Sequence, residues 1–156
     1  MKQQPITLPL APDVRLELQA STPPIEVHSA FQRISVECTA SFGRLYRLDG
    51  DAMAAEADEF MIHESLAHLA ALSHPSPDRA IILGGGDGAS ARELLKHPGL
   101  GRIVVAELDP LVVSTLREQM PALSAGAFDD PRVELHIGDA ARSLKALHDQ
   151  GEGFDL

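Results

Sequence analysis

The chain has 156 residues, 44% of them hydrophobic, enough for one domain or for a small appendage plus most of another. Its formal charge of -10 argues against a nucleic-acid groove, which is built on Lys and Arg neutralising phosphates, and suits cationic small molecules. A lone Cys38 excludes an intramolecular disulfide, no apolar run nears the ~18 residues of a membrane span, and the start lacks the apolar core of a secretory signal; a soluble cytoplasmic protein is expected.

Up to residue 57 the signals are short alternating runs: "VRLELQ" (14–19), "RISVECT" (33–39) and "RLYRL" (44–48), punctuated by Phe42-Gly43 and Asp49-Gly50. They predict a small antiparallel β domain over 1–57. The first dozen residues carry Pro5, Pro9 and Pro12 without periodicity and read as a flexible arm, and "STPP" (21–24) breaks the strands. From Asp58, a plausible N-cap, helical spacing takes over through Phe60, Leu66, Leu69 and Leu72 to Ser73. Next come a strand (80–84), a helix (89–97), a strand "RIVVAEL" (102–108) and a helix from Pro110 to Met120. A strand (132–139), a helix (140–149) and "FDL" complete the series. Strands alternating with helices over 58–156 predict an α/β domain with a parallel sheet.

Between the first of these strands and its helix lies "GGGDG", Gly84 to Gly88. Residues without Cβ allow close approach of backbone to a ligand and a positive φ, as in a dinucleotide loop, but the same run also serves a tight turn. Asp87 would repel a pyrophosphate at a helix N-terminus, so a ligand without phosphates, or with a positive centre, fits better. Glu107 ends the second strand, 19 residues after Gly88, where a carboxylate can accept from both hydroxyls of a ribose. Asp139 ends the third and could accept from an adenine amino group. Three carboxylates at the carboxyl ends of consecutive parallel strands face the crevice where open α/β sheets bind ligands, although each could equally cap a helix.

These blocks, "FQRISV", "SFGRLYRLDG", "DEFMIHESLAHL", "HPSPDRAIILGGGDGASARELLKHPG", "VVAELD" and "DDPRVELHIGDA", resemble the polyamine aminopropyltransferases, spermidine synthase and its relatives, from about residue 30 onward. The resemblance implies a Rossmann-like domain of the methyltransferase type, incomplete at the C-terminus, behind a small N-terminal β domain. It implies transfer of an aminopropyl group from decarboxylated S-adenosylmethionine to putrescine or a related amine, releasing methylthioadenosine, with no prosthetic group; the residues themselves give no metal-site expectation. By position, Gln32, Glu107, Asp139 and the Ala140 backbone would hold the nucleoside. Gly84, Gly86 and Gly88 would let the backbone approach the donor, and His63 and Asp87 would contact the amine. A homo-oligomer, dimer or tetramer, is implied as well.

Ile62 stands where the family usually has Tyr, and Met53 where it usually has Gln. The family's catalytic Asp is expected beyond Leu156, so this stretch is expected to be part of a longer enzyme and by itself to bind donor or product without turnover; Asp155 matches a structural aspartate instead. Two alternatives are an S-adenosylmethionine-dependent methyltransferase, against which "DEFMIHE" and "GGGDG" count, and a non-catalytic nucleoside-binding paralogue, for which Ile62 speaks. "HESLAH" is not the H-E-x-x-H zinc motif: His63 and His68, five apart, diverge by about 140° on a helix. His28, His74, His97, His136 and His148 are scattered and read as surface or core residues.

Overall fold

In the computed structural model, which describes residues 5–156, the chain divides after Glu59 into two units. In the first, Ile6–Ala11 is a strand (β1), antiparallel to β2 (Val14–Leu18). This corrects the expected arm; residues 1–4 of it lie outside the described residues. Ile6 and Leu8 alternate into a small core with Leu45 and Ala55, which outweighs the missing N–H of Pro9. A register shift between Pro9 and Ala11 accommodates the proline, as bulges do. The other strands form a separate four-stranded meander: β3 (Ile25–His28), β4 (Arg33–Thr39), β5 (Gly43–Leu48) and β6 (Asp51–Ala55). Asp49 and Gly50, with φ of 51° and 102°, give the β5–β6 turn the doubly left-handed backbone of a tight hairpin.

In the second unit, α1 (Glu59–Ser73) precedes β7 (Arg79–Leu83), α2 (Ala89–Leu95), β8 (Arg102–Glu107) and α3 (Pro110–Gln119). Then follow a short α4 (Pro121–Ser124), a 3-10 turn at Ala127–Asp129, β9 (Val133–Ile137) and α5 (Ala140–Asp149). The sheet is parallel, in the order β7-β8-β9. Its middle strand β8 is apolar on both faces: Ile103, Val104, Val105 and Ala106 are all 0% exposed, the pattern of a strand covered on both sides. Ile103, Val105 and Ala80 share one core with Ala91 and Leu94 of α2 and with Ala67 of α1.

After α5 the chain returns to the other edge of β7. Asp155 N–H donates to Arg79 O (2.8 Å), and Ile81 N–H donates to Leu156 O (3.0 Å). Asp155 Oδ2 also accepts from the backbone N–H groups of Asp78 and Arg79 at 2.9 and 3.0 Å. These amides hold the Asp155 carboxyl below its usual range. The chain thus reverses direction across the sheet beside β7, and that reversal places the ligand crevice of open α/β sheets at the carboxyl end of β7.

Helix α1 departs from the sequence reading in the face it buries. Phe60, Leu66, Leu69 and Leu72, whose spacing announced the helix, are all exposed. The buried stripe is His63, Ala67 and Ala71, four residues apart and small enough for close packing. No helix among the described residues is long and apolar enough to cross a membrane.

Candidate functional site

The loop leaving β7 is held by its own backbone. Gly84 N–H donates to Ala106 O of β8 (2.8 Å) and Gly88 N–H to Gly85 O (2.9 Å). Gly84 and Gly88 have φ of 88° and 76°, a left-handed region that L side chains rarely adopt. Gly86 has an ordinary φ and a different reason to be glycine: a Cβ there would stand 2.8 Å from Glu107 Cγ. At Gly88 a Cβ would also meet the side chains of Ser124 and Phe128 at 2.6 and 2.7 Å. The loop is therefore glycine-rich partly for conformation and partly to admit a carboxylate behind it.

That carboxylate joins two loops. Glu107, at the end of β8 and 8% exposed, accepts from Gly86 N–H through Oε2 and from Asp109 N–H through Oε1, both at 2.9 Å. Each carboxylate oxygen has two lone pairs, so further acceptor sites remain for a ligand. Helix capping at this loop falls to Asp109, which is 0% exposed, accepts from Leu111 N–H (3.0 Å) and precedes a proline at the first helical position. Sequence reasoning missed Asp109 as a site element, although "DP" ahead of an apolar-periodic run is a helix-start signal.

Asp87 is buried at the tip of the glycine loop. Its Oδ1 accepts from Ala89 N–H (2.9 Å), which turns Oδ2 toward His63 of α1, whose Nε2 lies 3.6 Å away. The structure thus brings together His63 with Asp87, and Gly86 with Glu107. Asp139 follows β9 in the corresponding place but is exposed; it caps α5, accepting from Arg142 N–H (2.8 Å), with Ala140 as the first helical residue. The capping alternative thus describes Asp139, whereas Glu107 caps no helix. The strand end before Asp139 is tied to the same centre, because Gly138 N–H donates to Glu107 O (2.8 Å).

Gln32 belongs to the first unit, in a tight turn where its N–H donates to Ser29 Oγ (3.0 Å) and its carbonyl accepts from Ser29 N–H (3.0 Å). Ile62 and Met53, the two departures from the family pattern, are both exposed. The arrangement offers a backbone-lined loop edged by two buried carboxylates and one exposed carboxylate. Such a site favours a ligand that donates hydrogen bonds and carries positive charge.

Residues 59–156 match the model of the spermine/spermidine synthase domain. The polyamine aminopropyltransferase of Nitrosomonas europaea is 45% identical over 131 residues, 84% of this chain and 40% of that protein. That of a Thermoanaerobacter species is 38% identical over 144 residues, 92% of this chain and 50% of its own length. A spermidine synthase solved with the transition-state analogue AdoDATO superposes with a TM-score of 0.89 at 34% identity, over 94% of this chain and 51% of that one. The chain thus spans about half the length of the relatives it matches. Its small antiparallel sheets followed by a methyltransferase-like parallel sheet are the architecture expected from the sequence. The chain belongs to the spermine/spermidine synthase family.

Proposed function

We propose that this chain supplies the donor site of an aminopropyl transfer from decarboxylated S-adenosylmethionine to a diamine such as putrescine. The observation that carries the reading is Glu107, a buried carboxylate fixed by Gly86 N–H and Asp109 N–H with lone pairs to spare. Those lone pairs take the ribose hydroxyls of the donor. Asp139 and the Ala140 backbone take the adenine, and Gly84, Gly86 and Gly88 keep the loop low enough for the donor to lie over it; a nucleoside role for Gln32 rests on the family resemblance alone. Asp87, aimed by Ala89 N–H, and His63 receive the ammonium of the amine.

In the reaction the lone pair of the neutral amine attacks the carbon that joins the aminopropyl group to sulfur. The C–S bond breaks with its electrons going to sulfur, the sulfonium becomes the neutral thioether methylthioadenosine, and the new ammonium gives up a proton. Carboxylates suit both partners, because the donor is a sulfonium and the diamine keeps one nitrogen as an ammonium while the other, neutral, attacks. In this reading the proton acceptor is an acidic residue of the longer enzymes that this chain half spans, and the enzyme works in the cytoplasm as a dimer or tetramer.

The test is Asp87→Asn in the full-length protein, with methylthioadenosine affinity and aminopropyl transfer measured side by side. Transfer is expected to fall sharply while nucleoside affinity holds. Equal transfer rates in the two proteins would refute the amine role.

A further inference from the structure

The sequence motif that looked like a zinc site pairs the wrong residues. His63 turns to Asp87, but Glu64 and His68 are four apart on α1 and share one face, and Glu93 and His97, also four apart, lie on and just past α2. The two E-x-x-x-H pairs meet. His68 Nε2 lies 3.1 Å from Glu93 Oε2, and His68 Nδ1 lies 2.9 Å from His97 Nε2. One ligand atom each from Glu64, His68 and Glu93 lie within 4.8 Å of one another.

A second observation points into this cluster. Glu93 is 1% exposed, and its Oε1 is held by Arg92 Nε at 2.8 Å. Its Oε2 is buried and is paired with the ammonium of Lys96, a half-exposed side chain, at 2.5 Å, beside His68 Nε2 at 3.1 Å. A buried carboxylate oxygen turned toward an imidazole nitrogen and a second carboxylate is an arrangement that asks for a cation. Lys96 fills that demand from the rim, on a chain free to swing into solvent.

We propose that Glu64, His68 and Glu93 form a divalent transition-metal site of the zinc class that staples α1 to α2, with the Lys96 ammonium as the cation the metal displaces. One imidazole and two carboxylates suit zinc, whereas magnesium and calcium take shells built from oxygen. Two ligands of a tetrahedral zinc lie roughly 3.4 Å apart given metal–ligand distances near 2.1 Å. Glu64 must therefore move by at most about 1.4 Å, which an exposed glutamate does by rotamer change. His97 orients the ring: with a proton between His68 Nδ1 and His97 Nε2 supplied by His68, the Nε2 lone pair faces the metal, the usual support for a metal-bound histidine. The exposure of Glu64 leaves a path for the ion and room for water as the fourth ligand.

The experiment titrates the chelator-treated full chain with Zn2+ by calorimetry and with Co2+ by visible absorption, and follows the thermal midpoint. Expected are one ion per chain, a ligand-field band with Co2+ and a higher midpoint with Zn2+. Glu64→Gln, a surface change that leaves folding intact, should weaken binding at least about tenfold, and His97→Ala by roughly 10–100-fold as an orienting partner. Lys96→Met should tighten binding, a response that adventitious zinc on His74, His136 or His148 would not show. Wild-type affinity in both Glu64→Gln and His68→Asn, or no binding by the wild type at millimolar Zn2+, would overturn the site. Either result leaves the transferase reading untouched, because none of these residues belongs to the donor or amine sites.

Discussion

Glu107 and Asp139 follow neighbouring parallel strands and would each touch the same nucleoside, yet the chain treats them in opposite ways. Glu107 is buried with an N–H on each oxygen, whereas Asp139 is exposed and spends one oxygen on capping α5. A buried acceptor held on both sides is aimed before the ligand arrives, so little reorganisation opposes binding. An exposed cap keeps water as a competitor. In the proposed site, the difference would give orientation and affinity to the β8 side of the crevice and finer contacts to the β9 side.

The comparison breaks most severely at Gly86. In Gly86→Ala the new Cβ would meet Glu107 Cγ and Cδ at 2.8 and 2.9 Å, and overpacking of this kind costs about 1–3 kcal/mol. Displacing the carboxylate strands Gly86 N–H and Asp109 N–H, each worth about 1–3 kcal/mol when buried and unsatisfied. A large fall in thermal midpoint together with loss of methylthioadenosine binding is expected in calorimetry. Glu107→Gln is milder: it keeps the shape but removes the charge and turns its NH2 against one of the two backbone N–H groups, and it should weaken methylthioadenosine by about 1.5–3 kcal/mol, the range for hydrogen bonds to a charged group. Unchanged affinity in that variant would place the nucleoside elsewhere.

On the other side, Asp139→Ala should cost about 1 kcal/mol of stability, the usual loss of an N-cap. Its effect on nucleoside affinity should stay below that of Glu107→Gln; an equal or greater effect would erase the distinction between the two strand ends. The smallest effect is expected at Asp155, whose carboxyl is held low chiefly by the N–H of Asp78, then by that of Arg79. A lowered folded value means that its stabilisation is complete above the ordinary aspartate pKa of ~3.9 and fades as pH falls through the lower folded value. The midpoint gap between wild type and Asp155→Asn should therefore be constant near neutrality and close only in acid.

The α/β order was legible because periodicity changes at Asp58 and because Gly, Pro and Asp punctuate each strand-to-helix junction. What escaped notice depended on long-range partners. β3 and β6 are four and five residues long, and "DAMAA" has no β-branched side chain; pairing with β4 and β5 makes them strands. The leucines of α1 announced a helix correctly, but spacing does not tell which of two faces neighbours will cover. At the site, the acids after β7, β8 and β9 were visible as a set. That Glu107 reaches across to Gly86 N–H while Asp139 stays on its own helix was not, since both answers fit the same position at a strand end. Gln32 was reachable only through family resemblance, because nothing in its own turn marks it as a ligand contact.

The pairing of β7 with the returning chain has a consequence for biosynthesis. Asp155 meets Asp78 and Arg79 across 77 and 76 residues of sequence, whereas β7 and β8 meet across little more than one helix. Such a distant partner closes late. At about 5–20 residues per second, a ribosome takes roughly 4–15 s to travel from Arg79 to Asp155. During that interval β7 can zip onto β8 while its other edge waits, and the amides of Asp78 and Arg79 stay with water until Asp155 emerges. The glycine loop, hung from β8 by Gly84, can thus be shaped on the nascent chain before the strand it leaves has both of its neighbours.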